Sequence, residues 1–300
     1  MSFSDAVLKK YRLAGKIARE VREEMRGFVQ EAMPVIEVCE KVEKLIRKKG
    51  GKPAFPCNVS IDEIAAHYTS PPNDERLIPS GSIVKVDVGV HIDGYIADTA
   101  VTICFNPEHE NLVRAAEAAL KNAVKTVYAG ISTTKLGSAI QKTIKSYSCR
   151  AISNLTGHQI NRYLIHTGKS IPNVSHIVGS RIREGEIIAI EPFVTVVNAA
   201  GRVREGKQAT IFRFVKRKSL KNPEAQKLLS HIEKNFRTLP FTERWLTGVV
   251  PQANHFAAFH ELLRSKCLMS YHVFIEASGK PVAQAEHTIF IVKSGCEVLT

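Results

Sequence analysis

Five residues of this chain interrupt apolar runs with groups that bind metals or move protons. Asp87 and Asp98 stand in Lys85-Val-Asp-Val-Gly-Val-His-Ile-Asp-Gly-Tyr-Ile-Ala-Asp-Thr-Ala100, and Glu191 follows Ile187-Ile-Ala-Ile190. Glu286 lies between Val282-Ala-Gln-Ala285 and His287-Thr-Ile-Phe-Ile291, and His158 follows Asn154-Leu-Thr-Gly157. Carboxylates lodged in runs this apolar repel one another unless something positive lies between them. Four carboxylates and one imidazole are the ligand set that oxygen-preferring divalent metals such as Mn, Fe or Co accept. One cation does not neutralise four carboxylates, so two metals are implied if all five residues converge. Two metals about 3.5–4 Å apart can bridge a water, lower its pKa and polarise a carbonyl. Taken singly, each residue has a plainer reading. Glu191 reads as a solvated strand end and His158 as a structural histidine. His91 reads as a surface strand residue and Asp93 as a turn residue only. The case rests on the set.

These groups need elements to hold them. Ile83 to Val90 alternates and is Val-rich, as a half-buried strand is. Asp93-Gly94 is a hairpin turn signal, and Tyr95 to Cys104 returns as a second strand, so the fold-back places Asp87 and Asp98 roughly opposite each other. Upstream, Asp5 to Lys49 reads as helix broken near Pro34, with Gly50-Gly51 ending the second piece. Asn111–Tyr128 and Leu136–Tyr147 read as helices, Ile171-Pro172-Asn173 as part of a loop, and Glu186–Glu191, Thr210–Phe214 and Val282–Val292 as strands. Asn222-Pro223-Glu224 is a helix start with an N-cap, Pro at N1 and an acid in the first turn. Helices then strands, twice over, are compatible with an internal pseudo-symmetry.

The chain has 300 residues, 44% of them apolar, enough for a substantial core without disulfides. Cys39, Cys57, Cys104, Cys149, Cys267 and Cys296 form no CxxC pair and several lie in apolar runs, so buried reduced thiols in a cytoplasmic protein are expected. No stretch reads as a signal peptide or a membrane span. The net charge of +13 attracts phosphate polymers without naming a partner. Lys216, Arg217, Lys218 and Lys221 form the tightest basic cluster, and no nucleic-acid module accompanies it.

Seven segments carry a resemblance. They are Ala65-Ala-His-Tyr-Thr69, Lys85-Val-Asp-Val-Gly89, Ile96-Ala-Asp-Thr-Ala100, Asn154-Leu-Thr-Gly-His158, Tyr163-Leu-Ile-His-Thr-Gly168, Ala189-Ile-Glu-Pro-Phe193 and Gln284-Ala-Glu-His-Thr288. In order and spacing they resemble the type II methionine aminopeptidases of the short archaeal form, from about residue 5 to the C-terminus. The resemblance implies an α+β pita-bread fold with pseudo-two-fold related halves. It also implies a single catalytic domain over residues 1–300, with 216–270 an inserted helical subdomain. It assigns Asp87 and Asp98 to one metal, with Asp98 and Glu286 bridging and His158 and Glu191 completing the other metal's shell. The two divalent ions would be Co, Mn, Fe or Zn, sharing a hydroxide that attacks the methionyl carbonyl. Glu191 would also take a proton, His166 would donate to the carbonyl oxygen, and His67 would lie over the cleft near the scissile amide. Phe55, Ile165 and Tyr271 would line the methionine pocket. The implied substrates are N-termini of nascent polypeptides with a small second residue, handled by a monomer away from membranes. One departure stands out: Ala285 occupies a position where the family usually has Phe.

Two rival readings stay open at this level. One is another enzyme of the fold, a proline-specific peptidase or a creatinase-like amidohydrolase; the helical insertion and the Ala65-Ala-His-Tyr segment argue against it. The other is a non-catalytic pita-bread homologue binding RNA or protein, which the basic charge would suit. Such proteins typically lose metal ligands, and all five are present here. The basic cluster at 216–221 is a candidate ribosome-docking patch, with a solvated surface of the insertion as its alternative.

Overall fold

Strands Ile83–Ile92 and Tyr95–Cys104 pair antiparallel along their whole length about Asp93-Gly94. Both turn residues have positive φ, 51° and 88°, as a two-residue hairpin turn of this hand requires. In the computed structural model, which describes residues 3–300, Asp87 faces Ala100 and Asp98 faces Gly89. The two aspartates are therefore diagonal neighbours on one face, one pair out of register with direct opposition. The first strand is also more buried than its alternation suggests. Val84, Val86, Val88 and Val90 pack with Ile17, Val21, Met25, Val38, Val42 and Ile46. Those partners come from helices α1 (Asp5–Phe28) and α2 (Val35–Lys48), which part at Pro34. The opposite face, which carries the polar residues, is enclosed by the second half of the molecule. His91 is accordingly buried, at 7% exposure, and accepts the Gly94 N–H at Nδ1, 3.0 Å away. It is not the surface residue its alternation suggests. Asp93, beyond its turn role, ion-pairs with Lys10 at 2.6 Å.

The second half repeats the plan of a helix pair laid on strands. Helices α3 (Glu110–Thr126) and α4 (Thr133–Ser146) bury Leu112, Ala116, Leu120, Leu136, Ile140 and Ile144 against Ile188, Ile190, Val194, Ala283, Ile289 and Ile291. Two chain segments here change sheet midway. Ile187–Ile190 pairs with His287–Val292 and Thr156–Asn161, whereas Phe193–Val196 pairs with Val282–Gln284 and Cys149–Ala151. The run 282–292 is thus not one continuous strand, whereas the strand expected at 186–191 is unbroken from Ile187 to Ile190 and ends where the segment changes sheet. The changes fall at Glu191-Pro192 and at Ala285-Glu286, and proline contributes by lacking an N–H for the ladder. Ile171 and Pro172 end the strand Leu164–Pro172 and are not loop residues.

Strands Val203–Phe214 and Leu268–Glu276 pair antiparallel, the first beginning seven residues before the strand expected at Thr210. Between them lie α5 (Pro223–Phe236) and α6 (Gln252–Arg264). Asn222 caps α5, its Oδ1 accepting the Glu224 N–H at 2.9 Å. Leu228, Leu229 and Ile232 bury with Phe241, Phe259 and Leu262 in a cluster of their own. The six cysteines are free, and four of them are buried. Among the described residues no helix is long and apolar enough to cross a membrane.

Candidate metal centre

The hairpin, the two sheet-switching segments and the strand Thr156–Asn161 all deliver side chains to one cleft between the halves. Asp87, Asp98, His158, Glu191 and Glu286 line it, together with Phe55, His67, Ile165, His166 and Tyr271. All ten residues singled out in the sequence therefore meet around one cleft. Ligand atoms of Asp98, His158 and Glu286 lie within 4.8 Å of one another. His158 Nε2 is 3.6 Å from Asp98 Oδ2 and 3.4 Å from Glu191 Oε1. Asp87 lies against Asp98 and accepts from Asn58 Nδ2 at 3.3 Å. The breaks at residues 191 and 286 explain how two residues expected within strands reach the site. A continuous ladder would have kept their backbones in one sheet.

The polar groups are unsatisfied in a way that points to cations. Asp87 Oδ1, Asp98 Oδ1 and Glu286 Oε1 are buried without a hydrogen-bond partner, an arrangement that costs stability unless something else meets them. Among the described residues no Lys or Arg lines the cleft. Burial pushes the Asp87 carboxyl up to about 7. Burial first, and neighbouring carboxylates second, raise Asp98, Glu191 and Glu286 well above the ordinary carboxyl range. His158 is driven well below the usual imidazole value by burial and then by His166, so its ring is a neutral donor of a lone pair. Buried carboxylates with free oxygens around a neutral imidazole fit divalent cations.

A second layer fixes the backbones of the two central acids; its residues Thr99, Gln284 and Thr288 lie in the matched segments, but nothing in the sequence discloses their contacts with the acids. Thr288 Oγ1 accepts the Asp98 N–H and donates to the Asp98 carbonyl, both at 2.8 Å. Thr99 Oγ1 donates to the Glu286 carbonyl at 2.7 Å and accepts from Arg22 Nη1 at 2.6 Å. Gln284 Nε2 donates to Glu286 Oε2 at 3.3 Å. Hairpin and last strand are thereby clamped together at the positions of the acids, as outer-shell partners of a metal site are. Ala285 is buried in the second core at 6% exposure. A hollow beside it is lined by Arg22, Lys121 and Val298, so the missing ring leaves space behind Glu286 without removing a polar group from the cleft.

The remaining cleft residues form a mixed wall. His67 has φ of 64°, an uncommon conformation outside glycine, and its ring packs 4.7 Å from Phe274 and 5.4 Å from Tyr271. Burial, then His166, lowers His67 to about 3. His166 stands edge-on to His158 at 4.4 Å and is itself lowered to about 4 by burial and by Arg213. Both rings are neutral N–H donors. Asn58, Ile211 and Pro240 also line the cleft, with nothing in their local sequence to mark them, as does Ala66 of the segment Ala65–Thr69.

The sequence profile of metallopeptidase family M24 matches residues 9–213. The chain belongs to that family. Divalent metal use comes with membership, in keeping with the acid cluster. The methionine aminopeptidase of Methanothermobacter thermautotrophicus is 40% identical over 297 residues, spanning 98% of this chain and 99% of its own. That of Thermococcus onnurineus is 43% identical over 288 residues, spanning 96% and 97%. Among solved structures, a thermophilic Arx1 superposes with a TM-score of 0.86 at 22% identity, covering 99% of this chain and 91% of that one. The methionine aminopeptidase of Thermotoga maritima gives 0.72 at 23%, covering 100% and 98%. At these identities the structural likenesses speak to the fold alone, and that fold is the α+β pita-bread architecture with the site between its halves.

Proposed function

We propose that this M24 member is a methionine aminopeptidase that removes the N-terminal methionine of nascent polypeptides. The observation that carries the reading is the convergence of Asp87, Asp98, His158, Glu191 and Glu286 beside a blind apolar wall of Phe55, Ile165 and Tyr271. We assign two divalent ions to the five polar residues: Asp87, Asp98, His158, Glu191 and Glu286 would hold them. Bound there, such ions supply Lewis acidity toward a carbonyl and acidify water. Glu191, raised in pKa, is suited to hold a proton and pass it on. The neutral His166 N–H is aimed to donate to the oxygen that gains charge, and His67 to contact the scissile amide. Phe55, Ile165 and Tyr271 give an unbranched thioether an apolar lining. The identity near 40% to methionine aminopeptidases over almost the whole chain supports the same substrate.

The test is release of methionine from Met-Ala-Ser and Met-Lys-Ser, before and after chelation and with metal restored. The expected result is rapid release from the first, slow release from the second, and loss with chelator that Mn²⁺ or Co²⁺ reverses. No release from either peptide with any divalent metal would overturn the reading.

The methionine pocket has a sensitive point. A β-carbon on Gly89 would overlap the Phe55 ring, with Cζ only 2.7 Å away. Gly89→Ala should push the ring into the pocket, raise KM for Met-Ala-Ser several-fold and cost about 1–3 kcal/mol of stability, as overpacking does. An unchanged KM and melting temperature would remove Phe55 from the pocket wall.

We take residues 216–270 as an inserted subdomain and the chain as a cytoplasmic monomer, a compartment in which six free thiols stay reduced. We further take the exposed Lys216, Lys218 and Lys221 as a ribosome-facing patch. Arg217 spends its charge on Glu233. Neutralising the three lysines should lower ribosome co-sedimentation at low salt. Sedimentation that does not change across low and moderate salt removes the patch.

A further inference from the structure

The rim of the cleft holds one cation that hydrolysis does not use. In the paired strands Val203–Phe214 and Leu268–Glu276, Ile211 stands opposite Tyr271 and Arg213 opposite Met269. Ile211 and Tyr271 line the cleft. Residues two apart on a strand share a face, so Arg213 and Met269 continue that face by one step. The step leads outward, since Ile211 is 3% exposed and Met269 is 38% exposed.

Arg213 is half-buried and unpaired. No carboxylate lies within 4.0 Å of its guanidinium among the described residues, whereas the buried Arg244 and Arg22 hold Glu43 and Glu23 at 2.9 and 2.8 Å. Its Nε is buried without a partner, and Nη2 reaches only the Met269 sulfur at 3.7 Å. A solvated arginine would not bury Nε, and a structural one would keep an acid. Its charge is nonetheless felt at His166, which burial first and Arg213 second lower, and at Tyr271, where it offsets part of the rise that burial causes.

An extended peptide repeats its side-chain direction every two residues, over about 6.5–7 Å. That is the distance from one of these strand pairs to the next on the same face. A substrate whose first side chain lies at the level of Ile211 and Tyr271 presents its third at the level of Arg213. We propose that Arg213 is a specificity-determining residue that reads a carboxylate at the substrate's third residue, favouring an acid there and disfavouring a base. The inference rests on the aminopeptidase reading, because it takes the first residue to be the methionine.

The experiment compares kcat/KM for four-residue amides Met-Ala-Xaa-Gly with Asp, Ser or Lys third, on the unaltered, metal-loaded protein. Expected is the order Asp, Ser, Lys, each step about two- to fivefold, the range of a partly exposed ion pair. The difference should lie in KM and shrink at high salt. Arg213→Met should level the series, Arg213→Lys should retain part of it, and Arg213→Glu should invert it. Met-Ala-Ser as free acid and as amide separates a terminal carboxylate from a side-chain one. Equal values for Asp, Ser and Lys together with equal values for acid and amide overturn the proposal, as does a preference that survives Arg213→Met. Methionine release from the Ser peptide checks the aminopeptidase reading separately; without it, both fall.

Discussion

Asp98→Asn will reduce metal-dependent methionine release by on the order of 10³ or more, because the lost ligand was worth several kcal/mol of charge stabilisation. The same change will make the metal-free protein more stable. Asp98 is at 4% exposure among three other acids, with Oδ1 unpartnered. Its ionised form is opposed by burial and by Asp87 and Glu191. Asparagine keeps the shape and removes the charge. The pH dependence follows from the raised carboxyls. With folded pKa values above the unfolded ones, the folded state binds more protons between about pH 4 and the folded values, so stability falls as pH rises through that window. Asp87, at about 7, and its neighbours, raised well above the ordinary carboxyl range, place the loss from about pH 4 up through the Asp87 value. The melting temperature of chelated protein should rise as pH is lowered from 8 to 6, and Asp98→Asn should flatten the rise. Added Mn²⁺ should raise the melting temperature most at the upper end, where it competes with fewest protons. A chelated wild-type protein that melts lower at pH 6 than at pH 8 would contradict the charge assignment.

The second large effect belongs to His166. It stands 4.4 Å from His158 and 6.1 Å from Tyr271, measured between ring centroids, and lines the cleft without joining the acid cluster. Burial and Arg213 hold it near 4, so it is a neutral donor at working pH. A fixed donor aimed where charge develops is worth about 10² to 10³ in kcat. His166→Ala should therefore lose that much kcat on Met-Ala-Ser while metal affinity, read by calorimetry on the chelated protein, changes little. His166→Asn, which keeps an N–H of shorter reach, should restore part of the rate. Loss of metal affinity along with rate would move His166 into the metal's own shell.

The readable part of this protein was its anomalies. A carboxylate inside Val-rich sequence is expensive unless matched, so Asp87, Asp98, Glu191 and Glu286 stand out before any fold is known. Asp93-Gly94 announces its hairpin because few residues tolerate both left-handed positions. Burial of the hairpin's second face was not readable. Alternation of Val with Lys85, Asp87, Gly89 and His91 looks like a strand with one wet face, and that face is instead enclosed, with Asp87 in the cleft and Lys85 and His91 buried to either side of it. The sheet changes at Glu191 and Glu286 were hidden for a related reason: apolar runs on both sides of each break look continuous, and only pairing partners distinguish the two sheets. Thr99, Thr288 and Gln284 lie in matched segments, and Asn58 outside them, but none carries a residue type that announces a role by itself. Their role comes from contacts across the chain, such as Asp98 with Thr288. Arg213 was invisible too, as one basic residue among 42; its lack of a partner is a three-dimensional fact.

The most direct measurement is anomalous diffraction from crystals soaked in Mn²⁺ after chelation. Two peaks about 3.5–4 Å apart are expected, held among Asp87, Asp98, His158, Glu191 and Glu286. Fully soaked crystals with no peak among those five residues, or with metal bound only elsewhere, would contradict the assignment.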